Sequence, residues 1–108
     1  MNKYKNRRLV WDGMEFESQK ECMRYRDLKV LQKAGEISVL RRQVRYELVP
    51  SQKIDGKTVE RPVVYVADFV YEENGQTVVE DVKGLKTDVY IIKRKLMLYV
   101  HGIRIRET

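Results

Sequence analysis

The sequence predicts a mixed α/β domain of the α+β kind, a small mixed sheet flanked by two helices with an N-terminal hairpin ahead of it. Three observations carry that expectation. Residues 66–71 and 78–83 are runs of β-branched and aromatic residues on either side of Asn74-Gly75, the turn signal of an antiparallel hairpin. Ser18 and Thr87 each open a stretch with apolar residues at helical spacing, and each stretch closes on a glycine, Gly35 or Gly102. Segments of alternating character before and after supply the remaining strands.

In chain order, residues 9–16 read as a short hairpin around Asp12-Gly13. Ser18 with Glu21 three residues on has the form of a capping box, and Met23, Leu28, Leu31 and Ala34, flanked by Tyr25 and Val30, form the apolar stripe of the first helix. Residues 37–40 and the alternating segment 44–49 follow as strand. The polar stretch 50–62 reads as a loop or mobile hairpin tip around Asp55-Gly56. After the central hairpin, Thr87 caps a second helix whose stripe is Val89, Ile92, Leu96 and Tyr99. Beyond Gly102, residues 103–106 alternate as a last, edge strand.

The chain's 108 residues suit one domain with one modest core, and 43% hydrophobic content argues against disorder throughout. No apolar run reaches spanning length and no secretory pattern follows the basic N-terminal segment, residues 1–8, so a soluble, cytoplasmic protein without membrane contact is expected. One cysteine, Cys22, excludes an internal disulfide and a multi-cysteine zinc site, and reads as a small buried hydrophobe. One histidine, His101, sits at a helix end, a common structural position, and weighs against a histidine-based metal site. A net charge of +6 favours a polyanionic partner, nucleic acid foremost.

The central hairpin carries the chemistry. Side chains alternate along a strand, so Asp81 and Lys83 share a face while Glu80 and Val82 occupy the other. Asp68 stands in a row with Val64, Val66 and Val70, where strand propensity disfavours an acid. Two carboxylates and an ammonium converging on a small sheet suit a hard divalent cation that activates a water. Glu21 is the candidate third acid, since its helix must pack on this sheet. The capping box is an equally complete explanation of Glu21.

Asp68 followed by Asp81-Val82-Lys83 resembles the D…(D/E)-x-K signature of the PD-(D/E)XK nuclease superfamily, with Ala67 where the motif's proline would stand. The upstream helix with Glu21 is similar to that of many members, among them archaeal-type Holliday junction resolvases and the endonuclease subunit of some bacterial transposons. Segments 16–25, 65–69 and 79–84 resemble a family of small phage and prophage proteins described as Holliday junction resolvases or endonucleases. The resemblance implies a restriction-endonuclease-like core. It implies that Glu21, Asp68 and Asp81 bind Mg²⁺, with Mn²⁺ as a substitute, and that Lys83 assists the attacking water. It also implies a phage or prophage protein acting in a bacterial cell. Strand parity selects Asp81 over Glu80 as the ligand.

The expected function is a Mg²⁺-dependent DNA endonuclease that selects branched DNA, as a homodimer matching a two-fold substrate. Arg41, Arg42, Arg45, Lys86, Lys93, Arg94 and Lys95 are the candidate phosphate contacts, with residues 1–8 as a basic arm. Tyr4, Tyr25, Tyr65, Tyr71, Tyr90 and Tyr99 are available for base stacking, although their spacing favours packing for most. The alternatives are a nucleic-acid-binding accessory protein that keeps the fold without the chemistry, and a nicking or end-cutting nuclease of another DNA substrate.

Overall fold

The computed structural model describes residues 9–108. The basic segment at residues 1–8, expected as an arm, lies outside the described residues, as does Tyr4. The expected α/β architecture is present. A first hairpin joins β1 (Leu9–Trp11) to β2 (Met14–Phe16) through Asp12 and Gly13, both at positive φ as a two-residue turn requires. Ser18 caps α1 (Gln19–Lys33) by accepting a hydrogen bond from the Glu21 N–H. The helix ends on Gly35 at φ +81°, with Gly35 N–H donating to Gln32 O and Glu36 N–H to Leu31 O, a Schellman closure.

The main sheet has the order β3 (Ser38–Val49), β6 (Val63–Glu73), β7 (Gln76–Asp81), β8 (Arg106–Glu107). The first three strands are antiparallel, and β8 lies parallel to β7 after the crossover through α2 (Asp88–His101). The two helices cover opposite faces. Cys22, Tyr25 and Leu28 of α1 pack with Phe16, Ile37, Phe69 and Tyr71. Tyr90 and Met97 of α2 pack with Leu48, Tyr65, Ala67, Val70 and Val79.

Besides the irregularities near the two ends of β3, strict alternation fails at the centre of the candidate site. Ala67 packs on the α2 side while Phe69, two residues on, packs on the α1 side. On β3 the same break separates Arg42, over the Phe16 ring, from Val44, which belongs to the α2 side. Asp68 and Gln43 lie between these residues and face each other in the register that pairs Arg42 with Phe69 and Val44 with Ala67. Gln43 absorbs the turn-over with φ at +53°. The predicted row of Val64, Val66, Asp68 and Val70 is therefore not one apolar face: Val66 is exposed and Val70 fully buried.

Other sequence expectations need correction. The buried stripe of α1 is Cys22, Tyr25 and Leu28, whereas Met23 and Val30 face solvent. In α2 the buried residues are Tyr90 and Met97, and Val89, Ile92 and Tyr99 are exposed. Apolar periodicity locates a stripe but not which side the sheet covers. The strand expected over 37–40 and 44–49 is present as one long strand, β3, which runs through Arg41-Arg42-Gln43. Within 50–62, β4 (Gln52–Ile54) and β5 (Lys57–Glu60) pair as a fully exposed hairpin. The last strand begins only at Arg106, because Ile105 is first buried against the core under α2.

Candidate functional site

Asp68 lies where β6 turns over, and Asp81 is the last residue of β7. Asp68 Oδ2 accepts the Val82 N–H at 2.8 Å, which ties the two strands at this point. The segment after β7 is fixed from the other side as well: Lys83 N–H donates to Thr108 O and Thr108 N–H donates to Asp81 O. Lys20 of α1 adds a hydrogen bond to the Lys83 carbonyl. The backbone of Asp81-Val82-Lys83 is thereby held by α1, β6 and the strand after α2 together.

The expected parity holds here. Lys83 Nζ lies 3.4 Å from Asp81 Oδ1, and Glu80 projects to the opposite face. Asp81 is 2% exposed, and its Oδ2 accepts the Tyr65 hydroxyl at 2.6 Å. Lys83 Nζ also sits 4.3 Å from the centroid of the Tyr90 ring, a cation–π contact that leaves the ammonium directed at Asp81. Asp68, Asp81, Lys83 and Lys93 line an open pocket of about 270 Å³, walled by Tyr65, Tyr90, Val66 and Val89.

The electrostatics of the pair follow from this placement. Burial is the largest influence on Asp68, and hydrogen bonding and charge from Asp81 add to it; its carboxyl is pushed up to about 8. At neutral pH Asp68 therefore keeps its proton, its carboxyl lying against that of Asp81. Burial and the Asp81 carboxylate also keep the Tyr65 hydroxyl protonated, so it remains a donor. A divalent cation fits this donor set: hard carboxylate oxygens, one of which carries a proton that a positive charge would displace.

Glu21 is brought near but not into the pocket. Its carboxylate, 3% exposed, accepts from Gln43 Nε2 at 3.2 Å and lies 3.6 Å from Arg42 Nη2. Burial raises its pKa, partly offset by Arg42 and by a hydrogen bond from the Glu17 backbone. Its charge reaches Asp68 and helps to raise that carboxyl. Among the described residues no three acids, histidines or cysteines are grouped to hold a metal ion.

Glu80, which parity sets on the other face, is fully buried. Burial alone would raise its pKa. Hydrogen bonds from Arg24, Tyr71 and Thr108 outweigh that and hold it below the usual carboxylate range. It anchors α1 to β7 from the face away from the pocket.

The seven candidate phosphate contacts separate into groups. Lys93 lines the pocket. Arg41, Arg45 and Lys95 are exposed and form no ion pair among the described residues. Lys86 and Arg94 pair with Glu107 at 3.1 and 3.0 Å; the Tyr90 hydroxyl, then these cations, lower Glu107 to about 2. Arg42 is engaged inside the fold, its guanidinium 4.0 Å over the Phe16 ring and hydrogen-bonded to Glu15 O, so it is not free for phosphate. Of the candidate tyrosines among the described residues, Tyr25, Tyr65, Tyr71 and Tyr90 are buried and Tyr99 is open to solvent. Cys22 is buried and free, and His101 bonds Glu47 O.

Sequence reasoning missed Tyr65 and Gln43 as partners of the acids. Strict alternation hides both, since only the turn-over at Asp68 and Gln43 directs them there. It also missed Tyr90 as the support of Lys83, because Val89 and Ile92 offered a more regular stripe.

A family model described as "Protein of unknown function (DUF1064)" matches residues 1–105. The chain belongs to this family. No curated protein and no solved structure matches it. For this family, then, the constellation of Asp68, Asp81 and Lys83 has to be read from its own chemistry. No helix among the described residues is long and apolar enough to cross a membrane.

Proposed function

We propose that this protein is a divalent-metal-dependent DNA endonuclease, acting on branched DNA as a Holliday junction resolvase does. The observation that carries the reading is the meeting of Asp68 and Asp81 in one open pocket, with Lys83 Nζ 3.4 Å from Asp81 Oδ1. Asp68 and Asp81 would hold Mg²⁺ or Mn²⁺, in keeping with the one or two protein carboxylates that Mg²⁺ commonly takes. When bound, the cation supplies charge neutralisation of the phosphate and a lowered pKa for a coordinated water. Tyr65 keeps Asp81 Oδ2 in place through its 2.6 Å hydrogen bond. Lys83, oriented by Tyr90, presents an ammonium to the negative charge that develops during phosphodiester hydrolysis. Glu21 deepens the negative potential that attracts the cation.

DNA would approach the pocket mouth, where Lys93 meets a phosphate, while the exposed cations Arg41, Arg45 and Lys95 are open to phosphates elsewhere on the surface. Contacts of this kind position a duplex without reading its sequence, which supports selection by shape. The test is incubation with a labelled four-way junction and a matched linear duplex, in Mg²⁺ and in EDTA. Nicks in the junction that require metal are expected. Intact DNA of both kinds with Mg²⁺ and Mn²⁺ would overturn the reading, and equal cutting of the duplex would remove the preference for branches.

A further inference from the structure

The Asp68–Asp81 pocket opens on the α2 side of the sheet, and α1, on the other side, carries a groove that the proposed chemistry does not use. One hollow of about 440 Å³ lies between Trp11 of β1 and Val30, lined also by Arg26, Lys29 and Lys33. A second, of about 320 Å³, shares Arg26 and Val30 and reaches Met23 and Asp27. Val30 is 66% and Met23 55% exposed, so apolar surface is left open within a basic rim. The Arg26 guanidinium lies 5.2 Å from the centroid of the Trp11 ring, and Lys29 Nζ 5.9 Å from that of Tyr25. Ring faces hold these two cations without spending their N–H donors. Arg26, Lys29 and Lys33 form no ion pair among the described residues.

We propose that this groove docks an acidic segment of a partner protein, an extended run of carboxylates next to a large apolar side chain. The apolar side chain enters between Trp11 and Val30, where the aliphatic stems of Arg26, Lys29 and Lys33 widen the nonpolar wall. The carboxylates beside it meet the three unpaired cations in charge-assisted hydrogen bonds. The lengths agree. From residue 26 to residue 33 the helix rises about 10 Å, the reach of three or four extended residues. A nucleic-acid strand suits the groove less well. Arg26 already stacks over the Trp11 ring and Tyr25 stands edge-on to it at 6.0 Å, so no bare ring is offered to a base. Asp27 lies at the Met23 end, where a phosphate backbone would have to continue. Docking here requires neither metal nor DNA, and it stands whether or not the chain cuts DNA.

Trp11 is the chain's one tryptophan, so its fluorescence reports on the groove directly. The full chain in EDTA is titrated with a synthetic peptide of four aspartates followed by leucine and phenylalanine. The emission should shift and saturate below about 1 mM peptide. Asparagines in place of the aspartates, or alanines in place of the leucine and phenylalanine, should each weaken binding by at least about fivefold. Val30→Glu, and separately the pair Lys29→Glu with Lys33→Glu, should weaken it by at least about tenfold. Thermal unfolding should be unchanged in these variants, since all three positions are exposed. A wild-type emission that the peptide does not move overturns the proposal. So does a response indifferent to Val30→Glu or to the paired charge reversal. An unpaired oligothymidylate that binds more tightly than the peptide, and loses affinity on Val30→Glu, would assign the groove to nucleic acid and overturn it equally.

Discussion

Replacing Asp68 by Asn separates what the site does for the fold from what it does for a ligand. In the folded chain Asp68 is held up to about 8, against about 3.9 for an aspartate in an unfolded chain. Between those values the folded state binds a proton that the unfolded state has released. A raised carboxyl therefore contributes stability that is complete below about pH 4 and is lost as pH climbs through about 8. One full proton amounts to about 3 kcal/mol between pH 5 and pH 7. Screening through the open pocket mouth reduces this to about 1–2 kcal/mol. Asn copies the protonated form: its oxygen can accept the Val82 N–H and its amide can donate to Asp81. Urea unfolding in EDTA should find Asp68→Asn close to wild type at about pH 5 and more stable by about 1–2 kcal/mol at about pH 8. Two stability curves that run parallel from pH 5 to pH 9, or a variant less stable at pH 8, would refute a proton held on Asp68 at neutral pH.

The remaining predictions use other contacts. Arg24→Met leaves the buried Glu80 carboxylate without its main counter-charge and should destabilise by about 3 kcal/mol, lowering the thermal midpoint by about 12–20 °C. Its defect should shrink as pH falls towards 4, because protonation relieves the stranded charge; a loss under 1 kcal/mol at neutral pH, or one that grows on acidification, would count against it. Tyr65→Phe removes the donor to Asp81 and should cost about 1–2 kcal/mol by urea unfolding in EDTA, with an unchanged value sinking the assignment. Lys93→Ala should weaken junction binding and reduce the salt dependence of affinity by about one phosphate contact; an unaltered slope in a filter-binding titration would remove Lys93 from the interface.

Much of this was legible in the sequence, for identifiable physical reasons. Asp12-Gly13, Asp55-Gly56 and Asn74-Gly75 each place two consecutive residues at positive φ, so turn chemistry alone locates all three hairpins. Ser18, Thr87, Gly35 and Gly102 bound the two helices because caps satisfy backbone groups locally. Parity also separated Asp81 from Glu80. What escaped depends on tertiary contact. The α2 stripe has the same period whether it faces a sheet, solvent or another helix, so Val89 and Ile92 were assigned to the wrong side. The reversal at Asp68 and Gln43 requires two strands to turn over together, which no single-strand pattern records. Burial of Glu80 and stacking of Arg42 on Phe16 depend on where α1 lies across the sheet. Arg42 therefore read as a phosphate contact when it is a packing residue.

Calorimetric titration of Mn²⁺ into the protein near pH 7, in two buffers of different ionisation heat, tests the site most directly. If a cation replaces the proton on Asp68, binding should release about one proton per metal ion, and Asp68→Asn should abolish the heat. Absence of binding by the wild-type chain, or a heat and proton count unchanged in Asp68→Asn, would contradict the assignment of these two carboxylates as the metal site.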